Sequence, residues 1–78
     1  MTDEVVARVR RVVAQVLNLP EGSVGLETEQ ASTVAWDSLH HIHLITALEE
    51  EFRLSIDADD LLELTSVRAI VAYVAGHR

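Results

Sequence analysis

Apolar residues at positions 5, 6, 9, 12, 13, 16 and 17 recur at the spacing of one α-helical face, and no segment shows the alternation of a half-buried strand. Arg8, Arg10, Arg11 and Gln15 fill the opposite face, so this helix must lay its valine stripe against other elements. The oxygens of Thr2, Asp3 and Glu4 suit the free amides and positive dipole of a first turn, and Glu4 stands four residues before Arg8 as a supporting pair. Asn18 tolerates the left-handed position that ends a helix, and Pro20 cannot continue one, so the element stops near Asn18. The chain has 78 residues and no cysteine. One small core must therefore be closed by packing alone.

From Asn18 to Asp37 the sequence carries Pro20, Gly22 and Gly25 without a sustained period. That loop exceeds the roughly 12–15 residues usual for unstructured connections, and Val24 and Leu26 are its expected anchors to the core. A second helix is expected from Ser38 to Phe52, N-capped by Asp37, with Leu39, Ile42, Ile45, Leu48 and Phe52 as its inward stripe, Leu44 beside it, and Glu49 paired with Arg53. A short third helix is expected from Asp57, with Asp59 and Asp60 in its first turn. The fourth is expected from Thr65 or Ser66, with Val67, Ile70, Val71 and Val74 inward and Gly76 as C-cap. The fold class is all-α: a small four-helix bundle of three main helices plus a short third one, with a long loop between the first and second. Residues 1–78 form a single domain.

Thirteen carboxylates face six arginines and no lysine, a formal net charge of -7. Nucleic acid and anionic membranes, which need a basic footprint, are disfavoured partners, whereas proteins with basic docking surfaces are favoured. No apolar run approaches the roughly 18–20 residues of a membrane span, and the N-terminus lacks a signal-peptide pattern. The expectation is a cytoplasmic, free-standing monomer running from Met1 to a short tail at Arg78.

The informative site is Trp36-Asp37-Ser38-Leu39, where a hydroxyl opens an apolar helix directly after a carboxylate. Helix capping alone explains an isolated Asp-Ser pair. The alternative is that Ser38 Oγ is held exposed at the positive end of a helix, where a phosphate ester meets free amides and a favourable dipole. From Val5 to Tyr73 the chain resembles the acyl carrier protein family. The resemblance rests on Trp36 to Leu39, on Leu44 to Phe52, on Ser55-Ile56 with the acidic Asp57 to Asp60, and on Thr65-Ser66-Val67 leading into Ile70 to Val74. It implies that Ser38 receives 4′-phosphopantetheine from coenzyme A through a phosphopantetheinyl transferase, framed by Asp37 and Leu39. The arm would then carry acyl thioesters from an acyl-loading ligase or acyltransferase to a downstream condensing enzyme or transferase. A group carrier of this kind leaves catalysis to its partners and is not itself an enzyme. Trp36 is expected to plug the long loop, and the valine-rich interior to open for a short acyl chain.

Carriers of primary fatty acid synthesis usually place acidic residues after the modified serine, but here His40, His41 and His43 occupy that region. They are the expected docking surface, and the missing carboxylates imply a dedicated polyketide, lipopeptide or polysaccharide-modifying pathway. Peptidyl carriers commonly show Gly-Gly before the serine, whereas this chain has Val34-Ala35-Trp36, so an aminoacyl cargo is the alternative. An unmodified helical adaptor is the other. Protonation of the histidines below roughly pH 6.5 would change partner affinity. His40 and His43 share a helical face with His41 adjacent, but no cysteine or carboxylate completes a ligand set, and no metal site is expected. Asp57 to Asp60 lacks the glycine of a calcium loop, and no strand-turn-helix elbow supports a Ser38 hydrolase.

Overall fold

The computed structural model describes residues 3–77. Helix α1 spans Asp3–Leu17 and α2 spans Ser38–Phe52, separated by a loop with single 3-10 turns at Glu21–Ser23 and Gln30–Ser32. A one-turn α3 follows at Ala58–Leu61, and α4 spans Val67–Gly76. The expected all-α bundle with a short third helix and a long first loop is therefore what forms. The cap expected at Thr2 lies outside the described residues, as does the side chain of Asp3.

Valines are stiff at χ1 and only moderate helix formers, so α1 takes its stability from packing more than from propensity. Val5, Val9, Val12, Val13 and Leu17 are buried and meet Leu44, Ile45 and Leu48 of α2 and Val67, Ile70, Val71 and Val74 of α4 in one core. The α4 stripe is the one its sequence spacing predicts. On the outer side of α1, Arg8 pairs with Glu4 at 3.9 Å and more closely with Glu51 at 2.9 Å, and its guanidinium lies over the Phe52 ring.

Asn18 ends α1 at φ 58, as expected. The Leu19 amide then donates to the Ala14 carbonyl at 2.9 Å and the Asn18 amide to Gln15 at 3.3 Å, satisfying two otherwise free carbonyls. The same left-handed device ends α2 at Arg53, φ 54, where Leu54 donates to the Glu49 carbonyl at 3.1 Å. A Cβ in that conformation costs about 1–2 kcal/mol.

The long loop is fixed from three sides. Val24 and Trp36 are buried in the core and Leu26 is half-buried, which matches the expected anchors and the expected plug. Arg10 donates to the carbonyls of Val24 and Glu21 at 2.6 and 3.1 Å. The loop backbone also supplies acceptors for the first turn of α4: Val67 donates to Thr28 at 2.9 Å and Arg68 to Leu26 at 3.2 Å. Gln30 donates to Thr65 at 2.8 Å, Ser66 Oγ accepts from the Ala69 amide at 3.1 Å, and Glu29 and Ser66 form an isolated antiparallel bridge.

Three expectations are corrected. The inward face of α2 is His41, Leu44, Ile45 and Leu48, with Phe52 half-buried, while Leu39 and Ile42 are 60% and 53% exposed. Leu39 lies two residues from His41, about 200° around the helix, so burying one turns the other to solvent. The Glu49–Arg53 pair is not among the ion pairs of the described residues; Glu49 instead accepts from the Ile56 amide at 2.8 Å and orders the turn before α3. Gly76 is the last helical residue rather than a left-handed cap. The cap position is His77, whose ring stacks on Tyr73 and whose Nδ1 lies 2.7 Å from the Tyr73 carbonyl.

Candidate functional site

Asp37 is the N-cap of α2, with extended backbone and Oδ1 accepting from the His40 amide at 2.8 Å. The same oxygen lies 2.8 Å from His40 Nδ1, so one carboxylate fixes both the helix start and one imidazole. These contacts, the backbone amide of His40 first, hold the Asp37 carboxyl below its ordinary range despite some desolvation. Ser38 is the first residue of the helix and is exposed. Its amide and that of Leu39 have no hydrogen-bond partner among the described residues, because the cap reaches only the third amide of the turn. A phosphate on Ser38 Oγ would meet two free amides and the positive helix end, so the residues present fit a phosphodiester.

No general base is in hydrogen-bond contact with Ser38 among the described residues. Asp37 Oδ1 is taken up by the His40 amide and by His40 Nδ1, and His41, three residues on, is 5% exposed and has both ring nitrogens engaged. Trp36 Nε1 donates to His41 Nδ1 at 2.9 Å, and His41 Nε2 donates to the Leu61 carbonyl at 2.8 Å, an assignment that requires the neutral Nε2–H tautomer. The serine is therefore presented but not activated by its own chain.

A surface cleft of about 370 Å³ opens beside the hydroxyl. Ser38 and Ile42 of α2 form one wall, Leu61 and Leu62 at the end of α3 the other, the buried His41 lies beneath them, and Gln30 and Thr65 close one end. A more open groove of about 470 Å³ along Glu29, Ala31 and Ser66 adjoins it, sharing Gln30 and Thr65. Ser66 Oγ there is already committed to capping α4. Helix α3 has a second polar brace, because Tyr73 donates to Asp60 at 3.1 Å. Desolvation first, and the Asp60 carboxylate next, push the Tyr73 phenol up.

Of the residues singled out by sequence, Asp37, Ser38, Leu39, His40 and His43 share the exposed start of α2. His41 does not, which corrects its placement on the docking surface. His40 and His43 meet edge to face with centroids 6.3 Å apart, and no group of three or more potential metal ligands forms among the described residues. Sequence reasoning missed Gln30, Leu61, Leu62 and Thr65 as cleft residues, since nothing in their local spacing marks them. The lone tryptophan two residues before Ser38 was the available hint. No helix among the described residues is long and apolar enough to cross a membrane. A family model described as a phosphopantetheine attachment site matches residues 7–74.

Proposed function

Because the chain belongs to the family of phosphopantetheine-binding carrier domains, whose attachment site holds a 4′-phosphopantetheine prosthetic group, we propose that Ser38 takes that group and that residues 1–78 act as one acyl carrier domain. Domains of this family are carriers, not catalysts, and work with a phosphopantetheinyl transferase and partner enzymes. When bound, the group supplies a thiol that holds acyl groups as thioesters. The observation that carries the reading is the exposed Ser38 hydroxyl at a helix start whose first two amides have no partner among the described residues. In the loading reaction the serine oxygen forms the new bond to the phosphorus that carries the pantetheine arm, the pyrophosphate bond of coenzyme A breaks with adenosine 3′,5′-bisphosphate as the leaving group, and the hydroxyl proton passes to a base. The transferase must bring the base, because none of Asp37, His40 and His41 is in hydrogen-bond contact with Ser38 and each is engaged elsewhere.

The exposed N-terminal half of α2 presents Leu39, His40, Ile42 and His43, while Glu49, Glu50 and Glu51 sit at its far end. This supports docking through apolar and imidazole contacts beside the arm rather than through a row of carboxylates. It supports in turn a dedicated polyketide, lipopeptide or polysaccharide-modifying pathway, with an acyl-loading ligase or acyltransferase upstream and a condensing enzyme or transferase downstream. Intact-mass measurement after incubation with coenzyme A and a broad-specificity transferase tests the carrier role. One mass increment in the wild type and none in Ser38→Ala is expected, and a folded wild type that takes up nothing refutes it.

A further inference from the structure

The imidazole of His41 is the one buried side chain among those lining the cleft beside Ser38, so it forms the floor. Ile42, Leu61 and Leu62 give the walls above it apolar surface, along which an alkyl group held near Ser38 gains by leaving water. Passing the floor is different. Further along the same face of α2 lie Leu44, Ile45 and Leu48, already packed in the core. A chain sliding between α2 and α3 would part His41 Nε2 from the Leu61 carbonyl, now 2.8 Å away, and strain the 2.9 Å bond from Trp36 Nε1 to Nδ1. Every buried side-chain nitrogen and oxygen among the described residues has a partner, so opening here creates an unsatisfied group where none exists.

Resting on the reading of Ser38 as the attachment residue, we propose that His41 is a specificity-determining residue for the cargo. Short, compact acyl groups lie along the cleft, and longer alkyl chains are held outside the bundle interior, exposed to partner enzymes. His41 does this as a latch, tying the end of α3 and the plug at Trp36 to the first turns of α2.

The test loads the wild-type chain and His41→Leu, each bearing the arm, with butanoyl or dodecanoyl groups and compares their chemical shifts with those of the unacylated forms. In the wild type both cargoes shift the amides of Ile42, Leu61 and Leu62, and the dodecanoyl group shifts the methyls of Leu44, Leu48 and Ile70 no more than the butanoyl group does. In His41→Leu the dodecanoyl shifts extend to those methyls. Cleavage of that thioester by hydroxylamine then slows about tenfold, the factor that one net hydrogen bond confers. Dodecanoyl-specific shifts at those core methyls in the wild type would overturn the proposal, and the wild-type spectra decide the matter alone should His41→Leu not fold. A chain that never accepts the arm fails earlier, at the mass measurement, and takes this inference down with the attachment reading.

Discussion

Replacing Trp36 with Phe tests whether the buried Trp36–His41 bond holds the site together. Trp36 is 1% exposed and His41 5%, so water cannot readily replace a lost partner. Removing the indole N–H leaves His41 Nδ1 without a donor, worth about 1–3 kcal/mol, and the smaller ring forfeits about 1–2 kcal/mol of burial. The sum, about 2–5 kcal/mol, is comparable to the ~3–5 kcal/mol that a core of this size supplies, and each kcal/mol lowers Tm by about 4–8 °C. Trp36→Phe therefore sits at the edge of unfolding, and the series is best run in a fixed concentration of sucrose, which favours burial. His41→Leu orphans the indole N–H instead and costs about 1–3 kcal/mol. With both changes made, neither half of the bond remains to be orphaned, so the double variant is more stable than the sum of the singles predicts by about 1–2 kcal/mol. Urea unfolding followed by far-UV circular dichroism measures the cycle, because Trp36 is the only tryptophan and fluorescence disappears with it. Additivity within about 0.5 kcal/mol would refute the reasoning.

Leu39→Ala and Ile42→Ala change unfolding free energy by no more than about 0.5 kcal/mol, since both side chains are mostly exposed, whereas Leu48→Ala costs about 2–5 kcal/mol. Urea midpoints for the three variants check this, and a large loss at Leu39 would restore the stripe expected from spacing. Arg53→Gly relieves the left-handed backbone at φ 54 and stabilises by about 0.5–1 kcal/mol after the entropy that glycine adds to the unfolded chain, read as a rise in Tm. The Asp37 carboxyl is held below its ordinary value in the folded state, so its stabilisation is complete above about pH 4 and is lost as pH falls through the lowered value. The stability gap between wild type and Asp37→Ala accordingly narrows from pH 6 towards pH 3. A gap that stays constant over that range contradicts the cap geometry.

Local chemistry made much of the fold legible. The valine spacing of α1, the left-handed stop at Asn18 before Pro20, the Asp37 cap and the inward stripe of α4 each depend on residues within a few positions of one another. The rotation of α2 was not legible, because hydrophobicity favours Leu39 and Ile42 over a histidine. What reverses that preference is a pair of hydrogen bonds, from an indole five residues earlier and to a carbonyl twenty residues later. Glu49 was misread for the same reason: a helical pair with Arg53 is visible from spacing, whereas the competing Ile56 amide exists only once the chain has turned. Ser38 and its cap were readable at the motif itself. The cleft beside them required α3 and the loop to be in place.

The carrier role depends on where the arm is attached. Digestion of the chain after loading from coenzyme A, followed by fragmentation of the peptides, assigns the added mass to one side chain. It is expected on Ser38 alone. The same mass on Ser32, Ser55 or Ser66, or on no residue of a folded chain, would contradict the account.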